Sequence, residues 1–324
     1  MLIFVAMILW LLINYFIGGL PFSALLCVFA GLFLVMPWLI NFDLKDFSLI
    51  KKEKKLSILT TLLNVIAIPI LLIVSWIIFF PENKEIWYSL AMLGILPWGG
   101  LLMSWIRQSK ANGKYGFALF VLNMTIFVGL FFLVNYLILH NFVDQTIATQ
   151  PSCELETATK GAISCTTGSA NSKPILAYLF LILIPFVISR LIRLSTSLKE
   201  TIQKYIPIVS KVATSLIILY IFSLKNIHWI FDQNILMVLK IFVMVLVGYL
   251  MVFGLTYIIY KKQENKSDLT KSFFWNSTIR FVTLGVVFGV LYVPYLWVNY
   301  IVIFASAYMI QTVLSTISLK LLSK

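Results

Sequence analysis

The residues best placed to do chemistry lie in two short segments. One is Ser272-Phe-Phe-Trp-Asn-Ser-Thr-Ile-Arg280-Phe-Val-Thr-Leu-Gly285, where Asn276, Ser277 and Thr278 lead into a guanidinium inside an otherwise uncharged stretch. Amides and hydroxyls beside a fixed cation suit the binding of an anion. The other is Ala91-Met-Leu-Gly-Ile-Leu-Pro-Trp-Gly-Gly-Leu-Leu-Met-Ser-Trp105, with Pro97, Gly99 and Gly100 clustered about its middle and Trp98 and Ser104 beside them. Proline removes a backbone donor and clashes with the preceding turn, so an interrupted helix with open backbone groups is expected. Other chemistry is hard to build. All 12 Asp and Glu residues fall outside the apolar stretches, His140 and His228 stand alone, and Cys27 is a lone small residue in an apolar run. No metal site, cofactor or nucleophile with a neighbouring base is legible, and no enzymatic activity is expected.

The elements that must hold these segments are membrane helices. A chain of 324 residues with 61% hydrophobic and 11% charged residues cannot hide its apolar surface in water. Soluble enzymes, nucleic-acid modules and disordered tails are excluded. Uncharged or nearly uncharged stretches run over about 2–18, 22–41, 56–80, 88–106, 116–140, 174–189, 207–224, 235–260, 273–291 and 294–318, giving ten crossings at about 20 residues each. The gaps 42–55, 107–115, 190–206 and 261–272 and the C-terminal end hold 18 of the 25 Lys and Arg residues, and the alternate gaps only Lys84, Lys160, Lys173 and Lys225. By the positive-inside rule both termini are cytoplasmic in an inner, plasma-membrane, multi-pass protein. The net charge of +13 is thereby explained by topology and anionic lipid headgroups, without nucleic acid. Residues 1–19 lack a basic leader and a cleavage site and read as a retained helix.

The long outer gap, 141–173, separates residues 1–140 from 174–324, each half with five spans. An odd number of crossings puts the second half in inverted orientation, as in many secondary transporters, whose substrate sites use interrupted helices near the midplane. Spans four and nine, with Pro97 and Arg280, then correspond. Cys153 and Cys165 in the outer gap face an oxidising compartment and are expected to pair. Residues 190–206 read as an amphipathic segment on the inner surface. Arg280 lies eight residues into its span, about 12 Å deep, beyond easy snorkelling, whereas Lys240 and Lys211 lie near span ends. With no carboxylate in the spans, Arg280 has no acidic side-chain partner. An unpaired buried cation can be removed with little loss of folding stability.

Met36-Pro-Trp-Leu-Ile-Asn-Phe-Asp-Leu-Lys-Asp-Phe47, Leu62-Leu-Asn-Val-Ile-Ala-Ile-Pro69 and the run Gly94 to Asn123 resemble the bile acid:sodium symporter and arsenite permease superfamily. Trp105, Tyr115 and Asn123 fall where arsenite permeases have similar residues, and Gly99-Gly100 resembles the Pro-Gly-Gly of the symporters. The resemblance implies ten helices in two inverted five-helix repeats, with crossed broken helices in spans four and nine. Two departures matter. Trp98 stands where arsenite permeases carry a cysteine, and Thr278-Ile279-Arg280-Phe281 lacks their carboxylate. Arg280 also falls among positions where the symporters hold sodium, so a guanidinium could replace the cation or bind an anionic substrate.

The expectation is an all-helical secondary transporter of a small organic anion, working by alternating access. Its substrate site comprises Pro97, Trp98, Gly99, Gly100, Ser104, Asn276, Ser277, Thr278 and Arg280, with membrane lipid as its surroundings and sodium coupling left open. Metalloid efflux is the alternative within transport, disfavoured by the missing thiol. A lipid-acting membrane enzyme would need an interfacial acid/base constellation, and a structural membrane subunit would use Arg280 for packing.

Overall fold

A computed structural model describes residues 12, 15, 16, 40, 43–97, 100–141, 184–195, 197, 200–202, 204, 205, 235–263, 267–282, 285 and 297–322. Spans one, two and seven, Lys211 and the Cys153–Cys165 pair lie outside the described residues or almost wholly so. No strand occurs among the described residues. The helices are α1 (Ser48–Lys52), α2 (Lys54–Leu62), α3 (Ile68–Phe79), α4 (Lys84–Ile95), α5 (Gly100–Gln108), α6 (Gly113–Asn141), α7 (Ile184–Arg193), α8 (Ile235–Lys262), α9 (Asp268–Thr278) and α10 (Trp297–Leu322).

Local signals set the helix starts. Asn83 Oδ1 accepts from the Ile86 N–H at 3.1 Å at the head of α4, and Asn112 Oδ1 from the Tyr115 N–H at 3.0 Å at the head of α6. Ser267 does the same for Thr270 before α9, at 3.4 Å. Such caps satisfy backbone donors that have no partner within the helix. Asp46, in the turn before α1, pairs with Lys114 on α6 at 3.3 Å.

Among the described residues, three helices are long and apolar enough to cross a membrane: Lys54–Phe79, which joins α2 to α3, then Ile235–Lys262 and Asn299–Leu322. The first exposes Ile58, Leu62, Ile66, Ile70, Val74 and Ile78, four residues apart, while Ser57, Thr60, Asn64 and Ser75 are buried. Apolar outside and polar inside is the pattern of a helix whose solvent is lipid. In the apolar window of Asn299–Leu322, 72% is buried, against 33% in each of the other two, so of these three α10 is the most interior. It packs on α8 and α4, while α3 lies between α4 and α8. Lys240, near the N-terminal end of α8, is exposed, with its ammonium 4.5 Å from the Phe80 ring centroid.

Small residues let helices approach. A Cβ built on Gly94 of α4 would lie 2.7 Å from the Pro69 Cα, and one on Gly248 of α8 2.8 Å from Leu72 Cδ2. Between α2 and α3, Leu63–Ala67 forms a π-type turn in which the Ile68 N–H reaches back to the Leu63 carbonyl. Pro69, next in the chain, brings no N–H and its ring disfavours the α register at Val65, which accounts for the widened turn. The widening places Asn64 inside the packed helices, 5% exposed.

Candidate functional site

Two interrupted helices meet in the interior. α4 ends at Ile95, its cap residue Leu96 turns to an extended backbone at φ −56° and ψ 132°, and α5 starts at Gly100. α9 ends at Thr278, with Ile279 extended at φ −94° and ψ 139°. The breaks are bonded to each other, because the Phe281 N–H donates to the Pro97 carbonyl at 2.7 Å. Each interruption thus fills a backbone vacancy left by the other, as burial in an apolar medium requires.

Arg280 occupies this junction and is 2% exposed. Its Nη1 donates to the Leu96 carbonyl at 3.1 Å, and its Nη2 to Asn64 Oδ1 at 3.0 Å and to the Ser277 carbonyl at 3.1 Å. Its backbone N–H donates to Gln311 Oε1 on α10 at 3.1 Å. One residue therefore binds the ends of α4 and α9, the π-type turn and α10. No carboxylate is among these partners, in keeping with the acid-free spans. The unpartnered cation of the sequence reading is replaced by one with three oxygen acceptors, so its removal is expected to cost stability.

Electrostatically, the last carbonyls of a helix carry partial negative charge. Leu96 caps α4 and Ser277 lies in the last turn of α9, so two negative helix ends converge on one guanidinium. That neutralises part of the charge without a second ion.

Arg280 Nε and, on residues bonded to Arg280, Asn64 Nδ2, Gln311 Nε2 and Ser277 Oγ are buried with no hydrogen-bond partner, as are Asn276 Oδ1 on α9 and Ser315 Oγ on α10. Asn276 and Thr278 spend their other groups locally, Asn276 Nδ2 on the Ser272 carbonyl at 2.8 Å and Thr278 Oγ1 on the Phe274 carbonyl at 2.9 Å. Buried polar atoms are ordinarily satisfied, so these open ones stand out against the rest of the interior.

Pro97, Asn276, Ser277, Thr278 and Arg280 are all buried at or beside the junction. Gly100 opens α5 and Ser104 lies within it, while Trp98 and Gly99 lie outside the described residues. Sequence reasoning missed Gln311 as a site residue and met Asn64 only inside a family-like motif. A readable signal existed for both, since each is an amide inside a long apolar stretch, and Asn64 stands five residues before a proline.

The α5–α6 loop is pinned to α9. Asn112 N–H donates to the Asp268 carbonyl at 3.0 Å, Trp275 Nε1 to Ser109 Oγ at 2.8 Å, and the Trp105 and Trp275 rings stack at 5.8 Å. No protein-family model matches the sequence, and no curated protein matches it.

Proposed function

We propose that the chain is a multi-pass secondary transporter that moves a small organic anion by alternating access, without sodium coupling, and is a divergent member of the bile acid:sodium symporter and arsenite permease superfamily. In this reading ten helices form two inverted repeats, residues 1–140 and 174–324, around the outer segment 141–173, with both termini cytoplasmic. The observation that carries it is the convergence of two helix C-terminal ends on Arg280 where two interrupted helices meet. Transporters with discontinuous helices commonly use such ends to hold a coupling cation. Here the guanidinium is a cation that never leaves, so no ion need be taken up for the junction to form.

The anion then binds beside the junction. The N-terminal turn of α5, which starts at Gly100, favours negative charge. Asn276, Ser277 and Thr278 supply polar contacts from α9, and Trp98 and Ser104 are the further candidates from the sequence. The Phe281–Pro97 and Arg280–Leu96 bonds make the crossing move as one body during alternating access.

A second reading, a membrane subunit in which Arg280 only ties helices together, is favoured by one observation: both Nη atoms are bonded to protein oxygens. A thermal-shift screen of the purified full chain against small organic acids separates the two. The transport reading expects at least one anion to raise the melting temperature equally in sodium and potassium buffers. No stabilising anion supports the structural reading, and stabilisation confined to sodium overturns the built-in cation.

A further inference from the structure

Arg280 fixes the orientation of two amides. A guanidinium only donates, so the group of Asn64 that faces Arg280 Nη2 at 3.0 Å must be Oδ1. A backbone N–H also only donates, so Gln311 presents Oε1 to the Arg280 N–H at 3.1 Å. The Tyr249 hydroxyl approaches the same Gln311 oxygen at 3.5 Å. Both amide nitrogens are thereby turned away from their oxygens' partners, and neither has a hydrogen-bond partner; Arg280 Nε has none either. These three N–H donors come from side chains 5%, 2% and 2% exposed, on the π-type turn, α10 and the junction. Among the described residues, the Arg280 guanidinium has only neutral oxygens as its hydrogen-bond partners, the Leu96 carbonyl, Asn64 Oδ1 and the Ser277 carbonyl.

We infer that Asn64, Gln311 and Arg280 Nε–H form a subsite for the carboxylate of the solute, with the two amides as its specificity-determining donors. A carboxylate has about four acceptor sites and is the counter-charge the arginine lacks. Donors left open in the interior are costly, so a ligand that fills them gains both the hydrogen bonds and the ion pair. This deepens the transport reading and rests on it for the identity of the solute, but binding at the subsite can be measured without transport.

The test uses the purified full chain with benzoate, benzamide and chloride as probes, read by calorimetry and by melting temperature. Asn64→Asp and Gln311→Glu are the informative variants. Each keeps the oxygen that Arg280 uses and replaces the open donor by a second, negatively charged oxygen. Wild type is expected to bind benzoate and not benzamide. In either variant benzoate affinity should fall about tenfold or more, while the melting temperature without ligand holds or rises because Arg280 gains a counter-ion. Unchanged benzoate affinity in folded variants, equal binding of benzamide, equal protection by chloride, or no benzoate binding to wild type would each overturn the carboxylate subsite. Uptake of an organic anion that persists in both variants overturns the subsite and leaves the transport reading standing. Benzoate binding lost in the variants, with no uptake of any anion by wild type, leaves the subsite and ends transport.

Discussion

The two interruptions that meet at Arg280 are made differently. The first, between α4 and α5, is written in backbone chemistry: Pro97 lacks an N–H, and Gly99 and Gly100 follow. The second, at Ile279-Arg280-Phe281, contains neither proline nor glycine. Its donors leave the helical ladder because better-placed acceptors exist elsewhere, the Pro97 carbonyl for Phe281 and Gln311 Oε1 for Arg280. One break is local and the other tertiary, so the second should be the more fragile to loss of its partners.

The sharpest way to break that contrast is Arg280→Ala. It leaves the Leu96 and Ser277 carbonyls and Asn64 Oδ1 without their donor, at about 1–3 kcal/mol for each buried acceptor left open, read as a lowered melting temperature in detergent. Arg280→Lys keeps the charge but loses the planar fork, and should fall between wild type and Ala. A melting temperature unchanged in Arg280→Ala would show that the second break does not depend on its side chain.

Next in size is Gly94→Ala, because the added methyl would meet backbone, the Pro69 Cα at 2.7 Å. Overpacking of about 1–3 kcal/mol is expected, from a substitution that ordinarily favours a helix. Gly129 and Gly254 are its controls, since a Cβ at either meets nothing within 4 Å. Alanine there should stabilise by about 0.4–1 kcal/mol, opposite in sign to Gly94→Ala. Equal effects at all three would refute the close approach of α3 and α4.

Smallest should be Pro97→Ala. The carbonyl that Phe281 uses belongs to the backbone and survives the change, so the junction keeps that bond. A loss of about 0.4–1 kcal/mol is expected, chiefly from a more flexible unfolded chain. A loss as large as that of Arg280→Ala would mean that both breaks depend on the proline.

Local chemistry made part of this legible beforehand. Pro97 marked the first break, the acid-free apolar stretches marked membrane helices, and a lone arginine at mid-span marked the second region. What Arg280 touches could not be read, because Asn64 and Gln311 are 216 and 31 residues away in the chain. Neither periodicity nor composition encodes such pairings. Asn64 was hidden further by the π-type turn at Leu63–Ala67, which shifts the helical face after Leu62. The cap at Asn83, by contrast, is a short-range signal readable from its side chain and position.

If Arg280 stands in for a coupling cation, as we propose, uptake needs no sodium. Purified full-length protein reconstituted in vesicles, assayed for uptake of labelled small organic anions with sodium replaced by potassium on both sides, tests it directly. Uptake at the same rate in both salts is the predicted result. Uptake that rises steeply with sodium and vanishes in potassium would contradict it.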